Sequence, residues 1–153
     1  MISYQTSKRI LKKGIIKIKS ESILSVNSLN RVASSNIYSK FNYPSGDNAA
    51  FDGYAIKSSD TKNINKNKSK AFKIIGSIAA GKKPFKKRIK KFEAVEIMTG
   101  GIIPNGFDTI IPLEQINFYP NNKTRKFILI DRKISKYNHI RFAGSDYKKN
   151  ELI

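Results

Sequence analysis

Two carboxylates, Asp47 and Asp52, bracket the small-residue stretch Asn48-Ala49-Ala50-Phe51 and run into Gly53-Tyr54-Ala55-Ile56. The chain has 11 Asp and Glu against 30 Lys and Arg in 153 residues, so two acids in a segment otherwise free of charge are poorly explained by surface solvation alone. Carboxylates are hard oxygen donors suited to Mg²⁺, and they also cap turns by accepting backbone N–H bonds. Gly46 and Gly53 permit a tight turn that presents both acids. A second stretch, Met98-Thr99-Gly100-Gly101, precedes Pro104-Asn105-Gly106. A threonine among glycines can offer a hydroxyl and backbone N–H groups to an oxyanion, although such clusters are also ordinary turn chemistry. The third stretch runs from Asn138 through His139, Arg141 and Gly144 to Asp146. Arg141 supplies a planar fork of donors for carboxylate or phosphate, and Asp146 follows a glycine that can aim it inward. His139 is the sole histidine and cysteine is absent, which excludes thiolate metal sites, disulfides and a cysteine nucleophile; His139 reads as structural.

The elements that must position these groups follow from periodicity. Ile23, Val26, Leu29 and Val32 recur every three to four positions and predict a helix over 21–34, capped by Ser20 or Ser22 and stopped near Asn36. Residues 1–20 read as a basic lead-in broken at Gly14, with Ile15, Ile16 and Ile18 as a short strand or loose segment. Strands are expected at 54–56, 71–80, 94–97, 108–114 and 127–130, with 108–114 and 127–130 paired as a hairpin across a turn at 120–123. Residues 58–70 read as an exposed polar loop. The small run Ala79-Ala80-Gly81 suggests that something packs closely there. One helix and five or six short strands amount to an α+β chain in which a short helical segment packs with a β-rich domain of mostly antiparallel strands.

A hydrophobic content of 39%, with nine Phe and seven Tyr, predicts a folded core rather than a disordered tail. The formal charge of +19 raises a nucleic-acid or anionic-membrane partner. Against that, lysine is spread along the chain together with abundant Ile and Asn, the pattern of an A/T-rich coding sequence. The dense run 82–91 holds Lys82, Lys83, Lys86, Lys87, Arg88, Lys90 and Lys91, and it reads either as a solvated hairpin loop or as an anion-steering rim. Phe85 alone is available there for stacking on bases. No apolar run reaches the ~18 residues of a membrane span, and the N-terminus lacks the apolar core of a secretory signal. A cytoplasmic location without membrane contact is expected.

Taken in order, the three stretches resemble the N-terminal region of the molybdopterin molybdenumtransferases, the MoeA and gephyrin E-domain family. Its pattern reads roughly D-N-S-A-M-D-G-Y-A, then I-M-T-G-A-x-x-P-x-G-A-D-T-V-V, then N-x-R-x-x-G-E-D. Leu29-Asn30-Arg31-Val32-Ala33 also resembles a family helix, and the likeness extends from about residue 21 to residue 152. The resemblance implies a role in molybdenum cofactor biosynthesis, in which molybdate and adenylylated molybdopterin, with Mg²⁺, give the metallated cofactor and AMP. It implies an elongated homodimer, or completion by a complementary C-terminal half, since the cofactor-binding domain lies outside this sequence. Residues 1–43 would begin domain I, 44–146 would form β-rich domain II, and 147–153 would return toward domain I. By motif position, Asp47, Thr99 and Asp146 would line the active cleft, with Asp52 and Arg141 as substrate-binding candidates. The chain departs from the pattern at Ser45-Gly46, at Gly101 for Ala, and at Ser145 for Glu, which removes a negative charge beside Asp146. A non-catalytic interaction module derived from the family is the rival reading, and a basic nucleic-acid-binding protein a more distant one.

Overall fold

The computed structural model describes residues 1–14, 18–83, 88–121 and 123–153. It divides into two units, Met1–Ile37 and Tyr38–Ile153.

In the first unit the helix is α1, Tyr4–Lys13, and not the expected 21–34 segment. Ser3 caps it by accepting the Thr6 N–H, Lys12 and Lys13 sit at the negative end of the helix dipole, and Gly14 ends it. Residues 21–34 hold only a 3₁₀ turn, Ser25–Asn27, and Ile23, Leu24, Val26, Leu29 and Val32 are all exposed. The reason is local competition for the backbone. Ser28 Oγ donates to Ser25 C=O at 2.6 Å, and Asn30 takes a left-handed φ of 63°, which no continuing helix tolerates. Apolar spacing alone could not outweigh so many Ser and Asn. Of the Ile15-Ile16-Ile18 segment, Ile15 and Ile16 lie outside the described residues.

The second unit is built on a six-stranded sheet. Its strands are β2 (Gly53–Ile56), β3 (Lys70–Ile78), β4 (Glu93–Ile97), β5 (Thr109–Pro112), β6 (Asn117–Tyr119) and β7 (Phe127–Ile130). The order is β5-β2-β4-β3-β7-β6, with β3 and β4 parallel and every other pair antiparallel. A separate two-stranded ladder joins β1 (Asn48–Ala49) to β8 (Ile140–Arg141). One short helix and a β-rich, mainly antiparallel body make the chain α+β.

Side-chain alternation divides the core between the two sheet faces. Tyr54, Ile56, Phe72, Ala94, Ile111, Ile128 and Ile130 pack in one cluster, and Ala55, Val95, Ile97, Ile110 and Ile78 in the other. β2 is buried at all four positions because both faces and both edges are covered. Burial, followed by the neighbouring Glu96, pushes the Tyr54 hydroxyl up to about 12.

Two further expectations change. The 108–114 strand does not pair with 127–130: β5 lies against β2, and the hairpin partner of β7 is β6. A 3₁₀ turn at Leu113–Gln115 redirects the chain after Pro112 and separates β5 from β6. Nor is 58–70 wholly exposed, because it opens in a 3₁₀ turn, Ser58–Thr61, and buries Asp60, Thr61 and Ile64. Asp60 accepts the Phe92 N–H, and Thr61 Oγ1 accepts the Ile134 N–H, both at 2.9 Å, so these polar residues tie distant segments together. In the basic run, residues 84–87 lie outside the described residues. Arg88 and Lys90 are exposed, while Ile89 packs on the core.

Candidate functional site

The three chemistry-bearing stretches converge on β1. On one side Asn48 and Ala49 pair with Arg141 and Ile140. On the other, Ala49 N–H donates to Gly101 C=O at 3.0 Å, Gly100 N–H donates to Ala49 C=O at 2.9 Å, and Asn48 bridges Ile102. Asp47 precedes this strand and Asp52 follows it. A two-residue strand is sufficient because its neighbours, not its length, hold it.

Asp52 and Thr99 form one closely bonded pair. The Thr99 N–H and the Thr99 hydroxyl both donate to Asp52 Oδ1, each at 2.7 Å. The backbone N–H first, and then the hydroxyl, hold the Asp52 carboxyl below its ordinary 3.8. Asp52, an anion at neutral pH like any exposed aspartate, is held in one orientation by these two bonds. The position is enforced from the next residue, since a Cβ on Gly53 would lie 2.1 Å from the Ile111 carbonyl oxygen. On the Thr99 side, Gly100 adopts φ +78°, and a Cβ on Gly101 would meet Ile97 Cγ1 and Met98 O at 2.9 Å. Met98 N–H donates to Ile78 C=O, and a Cβ on Gly100 would stand 3.7 Å from Ala80 Cβ, so the Ala79-Ala80-Gly81 run packs beside the Thr99 loop.

This geometry changes one expectation for Thr99. Its hydroxyl and N–H, donors suited to an oxyanion, both go to Asp52. The pair presents negative charge and acceptor oxygens, which suits a cation or a protonated group rather than a bare oxyanion.

Asp47 and Thr99 are not bonded to each other. Asp47 Oδ1 accepts the Ala143 N–H at 2.9 Å, which ties Asp47 to the loop after β8. In that loop Arg141 forms an ion pair with Asp146, and Ser145 Oγ donates to the second Asp146 oxygen at 3.2 Å. The guanidinium bond is the main cause holding the Asp146 carboxyl below its usual range, and Asp146 in turn raises Arg141. Asp146 N–H is fixed by Tyr43 C=O at 3.0 Å. The five candidate residues thus fall into Asp52 with Thr99, and Asp47 with Arg141 and Asp146, linked through β1.

No group of three or more His, Asp or Glu able to hold a metal occurs among the described residues. Both Thr99 bonds fall on Oδ1, so Asp52 keeps a second carboxylate oxygen. One such oxygen fits Mg²⁺ only as an anchor, with water and substrate phosphate completing the shell, which is that ion's usual mode of binding.

The fold that carries this arrangement is shared with known proteins. Residues 2–153 match the family model described as MoeA N-terminal region (domain I and II), and the chain belongs to that family. It is 34% identical over 124 residues to the molybdopterin molybdenumtransferase of Haemophilus influenzae, covering 81% of this chain and 28% of that protein. It is 29% identical over 126 residues to the Bacillus subtilis protein of the same name, covering 82% of this chain and 29% of that one. Among solved structures, the molybdopterin biosynthesis MoeA protein of Pyrococcus horikoshii OT3 superposes with a TM-score of 0.86 at 27% identity, over 100% of this chain and 39% of that one. The chain therefore spans under a third of the length of these two curated relatives.

Proposed function

We propose that this chain is the domain I and II portion of a molybdopterin molybdenumtransferase and supplies one wall of a composite site that inserts molybdate into adenylylated molybdopterin in molybdenum cofactor biosynthesis. The observation that carries the reading is the Asp52–Thr99 pair, a carboxylate aimed by two donors from another motif of the family. Mg²⁺, when bound, would neutralise phosphate charge on the substrate. Asp52 is the residue that would anchor it, and Thr99 holds the carboxylate in one orientation. Asp47, Arg141 and Asp146 form a second polar corner. There Arg141 can face substrate phosphate only by sharing its guanidinium with Asp146. The domain reading is 1–43 as the start of domain I, 44–146 as domain II and 147–153 as the return. Activity is expected only in a cytoplasmic homodimer of a complete chain, or together with a complementary C-terminal half.

The test is molybdenum insertion from adenylylated molybdopterin, molybdate and Mg²⁺, by this chain alone and mixed with a separately expressed C-terminal half. Activity on mixing alone supports a split composite site. A folded chain inert in both arms refutes the catalytic reading and favours the interaction module.

A further inference from the structure

The turn that carries Asp52 is held from outside the Asp52–Thr99 pair. Ala50 N–H donates to His139 C=O at 2.9 Å, and Leu113 N–H donates to Asp52 C=O at 3.0 Å. Between those two anchors stands Phe51, about half exposed, whose ring meets the His139 imidazole edge-on at 5.0 Å between centroids and 86° between planes.

The imidazole is itself fixed. His139 has φ +56°, a left-handed conformation in which His and Asn are enriched among residues other than glycine. The segment before it is fastened to β5 and its flank. Tyr137 N–H donates to Asp108 C=O at 2.7 Å, Ile110 N–H donates to Asn138 C=O at 3.0 Å, and Thr109 Oγ1 donates to Ser135 C=O at 2.9 Å. A ring mounted on such a segment acts as a wall rather than as a mobile surface group.

We infer that His139 is a positioning residue for the Asp52–Thr99 pair, acting through its edge-on contact with Phe51. The inference rests on the reading of that pair as part of the site. Its physical content is that the ring contact keeps the 50–52 turn closed, so that Thr99 keeps both bonds to Asp52. The function proposed above assigns His139 no part, and its standing as the sole histidine first suggested a purely structural residue.

The experiment uses the ¹⁵N-labelled 153-residue chain and amide hydrogen exchange, with no substrate present, so its outcome is independent of the insertion assay. His139→Asn keeps a residue tolerant of positive φ and removes the ring. Phe51→Leu removes the other ring, and Phe51→Tyr retains it. In His139→Asn and Phe51→Leu the Thr99 amide is expected to exchange roughly twofold to tenfold faster, the range to which one edge-on aromatic contact converts. The Val95 and Ile97 amides of β4 should keep their wild-type rates, and Phe51→Tyr should restore slow exchange at Thr99. Unchanged Thr99 exchange in both ring-removing variants, or acceleration shared equally by Val95 and Ile97, would overturn the inference. If His139→Asn does not fold, Phe51→Leu decides alone, because its half-exposed ring lies outside the two core clusters.

Discussion

Thr99 spends both of its donors on a single oxygen of Asp52, so the chemistry it can offer is indirect: it fixes the direction of a carboxylate and lowers the pKa of that carboxylate. Thr99→Val, in a chain complemented for activity, is therefore expected to weaken Mg²⁺-dependent insertion by roughly 10- to 100-fold, the usual effect of losing a group that orients a metal-ligating carboxylate. Thermal melts of the variant should stay close to wild type, since Thr99 is exposed. Insertion at the wild-type rate would remove Thr99 from the site. Gly53 carries the opposite kind of constraint. Gly53→Ala drives a methyl into the Ile111 carbonyl and should cost about 3 kcal/mol of folding stability, read from urea midpoints.

At the scale of elements, β2 sits between β4 and β5 and carries the site turn at its N-terminal end, so its stability governs the geometry of Asp52. Tyr54 makes this element sensitive to alkali. Its hydroxyl is raised from 10.0 to about 12 in the folded chain, so between those values the unfolded chain loses a proton that the folded chain retains. Its contribution is therefore complete below pH 10 and declines as pH rises toward about 12. Melting temperatures measured from pH 9 upward should fall more steeply for wild type than for Tyr54→Phe. Parallel curves would show that Tyr54 titrates as it does in water.

For the whole molecule the governing quantity is charge. The formal +19 already sets all 11 Asp and Glu against 30 Lys and Arg, so 19 positive charges have no acidic residue to offset them. Self-repulsion of this kind destabilises the folded state and is screened by salt. Raising NaCl from low to moderate concentration should increase the melting temperature by about 2 to 4 °C, the shift that 1 kcal/mol produces in a chain of this size. A nucleic-acid-binding role instead predicts affinity for single-stranded DNA that falls log-linearly with salt. Absence of such binding would leave the charge as a compositional property. No helix among the described residues is long and apolar enough to cross a membrane.

Much of the sheet was legible in the amino-acid sequence because strand signals are local. Apolar runs at 54–56, 71–80, 94–97 and 127–130 correspond closely to β2, β3, β4 and β7, and the ordered motifs pointed to the family. The helix was misplaced because apolar spacing at 21–34 ignored the Ser and Asn that bond their own backbone, while Ser3 and Gly14 marked the ends of the real one. Pairing could not be read either: β5 chose β2 over β7 because the partner is set by how both faces of the sheet are buried, a property of distant residues. The same holds at the site. The sequence determined which groups are chemically available, Asp47, Asp52, Thr99, Arg141 and Asp146. Only the tertiary structure decided that Thr99 bonds Asp52, because a hydrogen bond across 47 residues depends on where β1 and the loop after β4 meet.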